Sequence, residues 1–486
     1  MIQPPSLAGI CANYNLRAPD FAIEHVYHSS KDVTPESIFF ALPGNKIHGA
    51  SFASEAISKG AKAIFTDSAG ALLIKTDLPV VVVSNPRSEL ANVAAQIYGP
   101  HIADLHLWGI TGTNGKTTTS YFLRQLLPQP AAVIGTTGIY DGKSRKSLAR
   151  TTPEIDDLYR VLISLRKSGV KKIVLEVSSH ALALDRVTGL KFQAVAFTNL
   201  SQDHLDFHKT MDAYLQAKAK LFDKKFSEYA VVCTDTAEGR AIADLADANG
   251  MIVATVSTGN NVGTWTISDE LVGVDELSGR INPVGLKLKL NFGGRFNFAN
   301  ALLAVAMADQ VAEVSQDQID ELAKVEVPGR MQVISGKGVK AIVDYAHSPA
   351  AIASVVSEMR TSVPGKLIVV IGAGGDRDSS KRKPMGSALT GADLVLVTDD
   401  NPRNEDPQKI RVDLIAGVAE SGIRYREIPD RRAAIAQAIS EVKTSNDLVM
   451  VLGKGHEQGQ QIGDIVYEFD DVTEVREAIA KRESNE

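Results

Sequence analysis

The sequence predicts a three-domain α/β protein, and three observations carry that expectation. The chain has 486 residues, too many for one hydrophobic core. Short apolar runs alternate with helical sequence through most of its length, the grammar of strand–helix units. One stretch, WGITGTNGKTTTS (108–120), sets a glycine-rich turn between an apolar run and an amphipathic helical one, YFLRQLL.

The first unit, 1–98, reads as a small N-terminal α/β domain. IFFALPG (38–44), AKAIFTD (61–67) and PVVVVS (79–84) predict short buried strands, and SFASEAISKG and SELANVAAQIYG predict helices. Its loops carry HSSK (28–31) and GNKIHG (44–49), residue types common in any loop.

The second unit, 99–328, opens after YGPHIADLHLW with the glycine-rich stretch. Gly109, Gly112 and Gly115 make the turn, and Lys116 with Thr117, Thr118 and Thr119 start the helix. A strand, such a turn and a helix N-terminus form a phosphate cradle: backbone N–H groups face the anion, the lysine reaches outer phosphates, and a hydroxyl holds Mg²⁺. This predicts a central P-loop NTPase-like domain. The strict P-loop pattern needs a glycine where Ile110 stands, so the shorter GTNGKT carries the signal. AAVIGTTG (131–138) predicts a strand with a glycine turn. RTTPE (150–154) predicts a loop into a helix, capped at Thr151 or Thr152 with Pro153 at its first position. KKIVLEVSSHAL (171–182) predicts a buried strand that ends in Glu176. AVAFTNLSQDHLDFH (194–208) predicts another, followed by Thr198, Asn199, Asp203, His204, Asp206 and His208. Ligands of open parallel sheets sit beyond the carboxyl ends of strands, so these side chains crowd one site. MDAYLQAKAKLF (211–222) predicts a helix with Lys218 at its middle, where pattern alone makes a lysine a solvated face residue. YAVVCTD and MIVATVS are two more strands, 258–296 alternates like antiparallel hairpins, and FNFANALLAVAMADQV (296–311) is an apolar helix. VPGRM (327–331) breaks the pattern and ends the unit.

The third unit, 329–486, repeats one design four times. KAIVDYAHSP (340–349), KLIVVIGAGGDRD (366–378), ADLVLVTDDNPRNEDP (392–407) and DLVMVLGKGHE (447–457) are each an apolar strand ending in a polar or glycine-rich loop. They predict a C-terminal doubly wound Rossmann-like domain with its functional loops at one sheet edge. The charged end AKRESNE (480–486) reads as a fraying helix.

Composition narrows the function classes. Apolar residues make up 44% and charged residues 23%, ordinary for a globular protein, and a net charge of −6 argues against a general nucleic-acid binder or a polybasic membrane patch. Cys11 and Cys233 are the two cysteines, which excludes a disulfide framework and fits a reducing compartment. The N-terminus MIQPPSLAGI lacks a signal-peptide pattern and no apolar stretch approaches membrane-spanning length. A cytoplasmic monomer acting on small molecules is expected.

Thr117, Glu176 and His204 offer ligands for Mg²⁺, although imidazole is a less usual partner for that ion than oxygen. The spacing in HLDFH also suits zinc, but no thiolates accompany it. His204 alternatively caps a helix or packs in a core. DDNPR sets Asp400, Asn401 and Arg403 in one turn, and GKGHE adds Glu457. These groups suit a ligand bearing both carboxylate and ammonium, or else a salt bridge within the turn. There is no GxSxG motif, and neither cysteine stands in a catalytic or redox motif. The residues together describe a nucleotide-dependent enzyme acting on anionic, polar substrates.

Ten motifs also stand in the order and spacing of the Mur ligases: GTNGKTTT, EVSSHAL, TNLSQDHLDFH, a YxxAK helix, NxxNALLA, PGRM, DYAHSP, GGDRD, DNPR and GKGHE. The chain resembles that family over essentially its whole length. The resemblance implies an ATP-dependent acid–amino-acid ligase of peptidoglycan synthesis that adds meso-diaminopimelate to UDP-MurNAc-L-Ala-D-Glu through an acyl phosphate. It implies that Gly112, Thr113, Asn114, Gly115, Lys116, Thr117 and Thr118 wrap the triphosphate of ATP. Asn300 would contact adenine, Arg330 the phosphates and Asp344 the ribose, with His347 nearby. Thr117, Glu176 and His204 would hold Mg²⁺. Lys218 would carry a CO₂-derived carbamate that holds a second Mg²⁺, against the solvated-face reading, and Lys116, Glu176, His204 and Lys218 would form the catalytic set. Ser30, Asn45 and Lys46 would hold uridine diphosphate, and Thr151, Thr152, Ser178 and Arg186 the muramyl peptide. Arg403 would pair with the carboxylate that lysine lacks, and Arg377, Asp400, Asn401, Gly453 and Glu457 would complete the amino-acid pocket.

Three positions depart from the family pattern. Ser29-Ser30-Lys31 replaces Asp-Ser-Arg, and lysine supplies the charge without the bidentate fork. Leu184 stands where some members have glutamine, and KRKP (381–384) is one residue longer than the usual KRP. Three rival functions follow. L-lysine is the alternative amino acid. Folylpolyglutamate synthesis shares the P-loop, but DNPR and GKGHE speak against it. A non-catalytic binding protein of the same fold would not need the intact lysine, glutamate and histidine set.

Overall fold

The computed structural model describes residues 3–44, 46–259 and 263–482. Four parallel strands make the first sheet, in the order β1 (His25–Tyr27), β2 (Ser37–Phe40), β3 (Ala61–Thr66) and β4 (Val80–Val82). The second sheet has eleven strands. In chain order they are β5 (His106–Thr111), β6 (Ala131–Gly135), β7 (Gly138–Tyr140), β8 (Arg145–Lys146), β9 (Lys172–Glu176), β10 (Ala194–Phe197), β11 (Tyr229–Cys233), β12 (Ile252–Ser257), β13 (Trp265–Val272), β14 (Leu277–Asn282) and β15 (Leu286–Leu290). Their spatial order is β15-β14-β13-β12-β11-β10-β5-β9-β6-β7-β8. The strands from β13 to β6 run parallel, and β7–β8 and β14–β15 add antiparallel edges. The P-loop strand β5 therefore lies between β9 and β10, and the carboxyl ends of β6, β9, β5 and β10 open on one edge.

The third sheet orders β16 (Gln332–Gly336), β17 (Val339–Asp344), β21 (Leu448–Leu452), β18 (Leu367–Ile371), β19 (Leu394–Val397) and β20 (Tyr425–Glu427), parallel except for β16. A separate hairpin of β22 (Gln460–Ile462) and β23 (Ile465–Tyr467) follows. Sequence reading did not foresee it, because Gln-Gln-Ile-Gly-Asp-Ile-Val-Tyr is too short and polar at its start to declare a strand pair. The last helix, Asp471–Lys481, runs into the charged end, of which 483–486 lie outside the described residues.

Burial follows the apolar pattern. The helix Phe296–Asp309 is apolar nearly all round and is buried along most of its length. It packs beside the P-loop helix Lys116–Leu126, where Phe122 stacks on Phe292 at 5.6 Å. Two boundaries differ from expectation. The helix after RTTPE is Ile155–Lys167 and its N-cap is Glu154, because Thr152 is drawn away to donate to the Glu176 carbonyl at 2.8 Å. The helix bearing Lys218 is Met211–Ala219, so the lysine sits in its last turn and is fully buried.

Two ionic contacts tie the first sheet to the second. His28 Nδ1 lies 2.9 Å from Asp156 at the start of helix Ile155–Lys167, and Arg160 reaches Asp156 at 3.1 Å while donating to the Val26 carbonyl at 3.0 Å. Arg87 meets Glu154 at 2.9 Å, and the Ser88 hydroxyl donates to Asp185 at 2.6 Å. Among the described residues no helix is long and apolar enough to cross a membrane.

Candidate active site

The P-loop turns on two glycines that no other residue replaces. Gly112 has φ 143° and Gly115 φ 87°, and an added Cβ would fall 1.8 Å from Thr198 Oγ1 and 2.3 Å from Asn300 Oδ1. The residues after β10 hold the loop's shape. Asn199 accepts from Asn114 N at 3.0 Å, its carbonyl accepts from Thr113 N at 2.9 Å, and Thr198 Oγ1 donates to the Asn114 carbonyl at 2.5 Å. A cleft of about 530 Å³ opens over the loop. Its walls come from the P-loop, from Thr136, Asp203 and His204 of the second unit, and from Arg330, Asp344, Tyr345 and His347 of the third.

Two lysines converge beneath this cleft. Lys116 donates to the Gly112 and Thr113 carbonyls, both at 2.9 Å, and Lys218 donates to the same Gly112 carbonyl at 2.7 Å. Burial holds the Lys218 amine well below its ordinary pKa, and the neighbouring Lys116 charge pushes it further the same way. Burial also lowers Lys116, against the pull of Glu176 and Asp203.

Glu176 is fully buried at the end of β9, where Thr136 donates to it twice, from N at 3.1 Å and from Oγ1 at 2.8 Å. His204 adopts φ 54° and leaves its imidazole half exposed beside His180 at 4.9 Å. Although one edge of the ring meets solvent, desolvation by the protein around it lowers its pKa to about 4, which favours the neutral form. Arg330 crosses from the third unit to lie 3.5 Å from Thr117 Oγ1, with its guanidinium over the Tyr345 ring. Asn300 braces Gly115 and bonds Thr119 and Asn297. Asp344 accepts from the backbone of Met331 and Ala346, both at 2.8 Å, and burial raises its pKa.

On the side facing the first sheet, Thr151 Oγ1 lies 3.3 Å from Thr136 Oγ1, and Thr152 bonds Ser178. Arg186 donates to the Thr152 carbonyl at 3.3 Å and pairs with Glu154 at 3.0 Å. Ser30 is buried and donates to Glu55 at 2.7 Å. Lys46 is exposed in a bend, and Asn45 lies outside the described residues.

The third unit gathers a second polar cluster at the ends of β19 and β21. Asn401 donates to Glu457 at 2.9 Å, and Gly453, φ 110°, leaves room for the Asp400 carboxylate. Burial and then the Asp400 charge raise the Glu457 pKa. Arg403 takes φ 52° and donates to the Gly375 carbonyl at 2.7 Å, while Arg377 projects from the neighbouring loop into solvent. Carboxylates facing a guanidinium make a site for a zwitterion.

Comparison with known proteins shows the family. The family models described as "Mur ligase family, catalytic domain", "Mur ligase middle domain" and "Mur ligase, glutamate ligase domain" match residues 22–103, 110–308 and 329–455. The chain belongs to the Mur ligase family. It is 42% identical to the UDP-N-acetylmuramoyl-L-alanyl-D-glutamate--2,6-diaminopimelate ligase of Corynebacterium glutamicum, over 94% of this chain and 92% of that one. It is 40% identical to the protein of the same name from Streptomyces coelicolor, over 99% and 97%. A solved structure of a ligase of that name superposes with a TM-score of 0.69 at 32% identity, covering 98% of this chain and 99% of the other. A folylpolyglutamate synthase of Mycobacterium tuberculosis complexed with ADP shares the fold, with a TM-score of 0.62 at 18% identity over 75% and 91%.

In this Mur ligase the polar clusters also include residues that sequence reading passed over. Lys454 is fully buried between Asn401 Oδ1 at 3.1 Å, Asp400 at 3.6 Å and Glu457 at 3.8 Å. Tyr345 donates to Glu457 at 3.4 Å, and His456 reaches the Thr136 carbonyl at 3.2 Å. Both Lys454 and His456 lie inside GKGHE, so the motif held the signal although only Gly453 and Glu457 were read from it. The longer KRKP loop has a structural outlet, since Arg382 is buried between Glu405 at 2.6 Å and Asp413 at 3.2 Å.

Proposed function

We propose that this Mur ligase uses ATP to join meso-diaminopimelate to UDP-MurNAc-L-Ala-D-Glu; the names of its relatives give UDP-N-acetylmuramoyl-L-alanyl-D-glutamate and 2,6-diaminopimelate as what those proteins join. The observation that carries the reading is the pairing of a P-loop cleft with a carboxylate, amide and guanidinium cluster, in one chain with those relatives. The substrate carboxylate attacks the γ-phosphorus, ADP leaves, and the incoming amine displaces phosphate from the acyl carbon with loss of its proton. Both substrates of the first step are anions, so the chain must neutralise charge where they meet. Lys116, bonded to the loop carbonyls, and Arg330, beside Thr117, are the cations this reading assigns to that task.

Thr117, Glu176 and His204 fit a divalent cation. Glu176 is a buried carboxylate whose hydrogen-bond partners are the neutral groups of Thr136, and His204 is an uncharged donor. Mg²⁺ held there would neutralise phosphate oxygens. Lys218 as a free base can add CO₂, losing one proton to become a carbamate, and so turn a buried cation into an anion that suits a second ion. Thr151, Thr152, Ser178 and Arg186 would hold the muramyl peptide, with Ser30, Asn45 and Lys46 toward the nucleotide. The three units would divide near residues 98 and 328.

Arg403 is assigned the second carboxylate of the amino acid, with Asp400, Asn401 and Glu457 around its distal ammonium. A panel of amino acids with ADP release as readout tests this. Meso-diaminopimelate should release ADP and L-lysine should not. Release with L-lysine but not diaminopimelate would sink the assignment.

A further inference from the structure

Glu457 and His456 are adjacent in sequence and serve two different places. Glu457 Oε2 accepts from Asn401 Nδ2 at 2.9 Å and Oε1 accepts from the Tyr345 hydroxyl at 3.4 Å, inside the polar cluster of the third unit. His456 turns the other way. Its Nε2 lies 3.2 Å from the Thr136 carbonyl in the second unit, a contact 320 residues apart in sequence. A carbonyl only accepts, so Nε2 carries the hydrogen, and burial lowers the ring's pKa to about 3. Its Nδ1 is buried with no partner among the described residues. Thr136 in turn gives both its N–H and its hydroxyl to Glu176.

The loop has little freedom to make this contact otherwise. Gly455 has φ 55°, and a Cβ on Gly329 of the PGRM segment would fall 2.1 Å from His456 N. Tyr345 packs against the His456 ring at 5.1 Å on one side of the loop, and Arg330 lies over the same tyrosine at 4.4 Å. One short loop thus holds a side chain in the amine pocket and another on Thr136, the residue after β6 that donates to Glu176.

We propose that His456 is a positioning residue that couples the two half-reactions: it docks the amine pocket onto the phosphoryl-transfer site, so that the acyl phosphate forms with the amine already in place. The proposal rests on the ligase reading above. If the hydrogen bond to Thr136 is lost, the GKGHE loop is free to withdraw Glu457 and the amine with it. Water then attacks the exposed acyl phosphate, the bond to phosphate breaks, and the carboxylate is regenerated. ATP is spent without an amide.

The test counts ADP and amide product in one reaction for the parent enzyme, His456→Phe and His456→Gln. Phenylalanine keeps the ring and removes the donor, whereas glutamine restores a donor of similar reach. The parent should give one amide per ADP. His456→Phe should release several ADP per amide with a raised KM for the amino acid, and His456→Gln should return the ratio toward one. A ratio of one in His456→Phe overturns the proposal, as does equal uncoupling in both variants, which would mark a packing role. Should His456→Phe fail to fold, His456→Ala read against His456→Gln makes the same comparison. A parent enzyme that forms no amide with any amino acid would undo the ligase reading instead.

Discussion

At the scale of single residues, the Gly112 carbonyl receives two amines, Lys116 at 2.9 Å and Lys218 at 2.7 Å. Two ammonium ions cannot share that place cheaply, and burial penalises the deeper one more. Lys218 therefore gives up its proton more readily than an ordinary lysine, and the uncharged form is the one that reacts with CO₂. Lys218→Ala should lose ligation, and short carboxylates such as acetate should restore part of it, measured as product formed with and without the added acid. An unaffected variant would make Lys218 a packing residue. Lys116→Ala should lower ligation by roughly 10²–10³-fold, the range seen when a preorganised donor to developing charge is removed. Calorimetric titration should show binding of the UDP substrate largely unchanged, and full activity would refute the role. Neither burial was visible in the pattern. In MDAYLQAKAKLF, Lys218 and the exposed Lys220 look alike, and only the approach of the P-loop from 106 residues away separates them. Glu176 was visible, because an acid that ends a run of buried apolar residues has few other places to be.

At the scale of elements, β1 and helix Ile155–Lys167 are joined by an ion pair that responds to pH. Desolvation lowers the His28 pKa, but the Asp156 carboxylate outweighs it and holds the imidazole above its ordinary 6.5. Asp156 is held below its ordinary 3.8 by His28 and Arg160, against its own burial. The stabilisation from His28 is complete below pH 6.5 and is lost as pH rises through its folded value; that from Asp156 is complete above pH 3.8 and is lost as pH falls through its folded value. The contact is strongest between those two limits. The difference in unfolding midpoint between the parent and His28→Asn should be largest in that window and should shrink as the pH is raised past neutrality. A difference independent of pH would show that the imidazole is not charged there. Sequence pattern identified the central strands of each sheet, since each apolar run had one place to go, but the short strands toward the sheet edges, β1, β7, β8, β16 and β20, carry no such run and were not foreseen. It missed the cap at Glu154, because Thr152 serves β9 instead of the helix, and it missed the hairpin β22–β23, which exists to meet Arg403: Arg403 N donates to the Gln461 carbonyl at 3.1 Å and Gly463 N to the Arg403 carbonyl at 2.7 Å.

At the scale of the whole molecule, the second and third sheets turn strand ends toward one cleft, and the order of β5 between β9 and β10 decides where. That convergence was legible as a rule about parallel sheets, whereas the way the units are fastened was not, since ion pairs between units carry no sequence period. Glu154 is the clearest fastening. It is nearly inaccessible, it takes Arg87 from the first unit at 2.9 Å and Arg186 from the second at 3.0 Å, and Arg150 lies 3.6 Å away. Thr151 and Thr152 lie just before it, and Arg186 also bonds the Thr152 carbonyl. Removing its charge leaves a buried guanidinium without a counter-ion, a loss on the order of 3–5 kcal/mol when the pair is fully buried. The first unit would then loosen against the loop assigned to the muramyl peptide. The ATP cleft is walled by the second and third units and does not include Glu154. Glu154→Gln should therefore raise KM for the UDP substrate by about tenfold, equivalent to ~1.4 kcal/mol, and leave KM for ATP close to the parent value. Steady-state measurement with each substrate varied in turn separates the two. Equal increases in both constants would mean that Glu154 supports the fold at large and not the junction between the first two units.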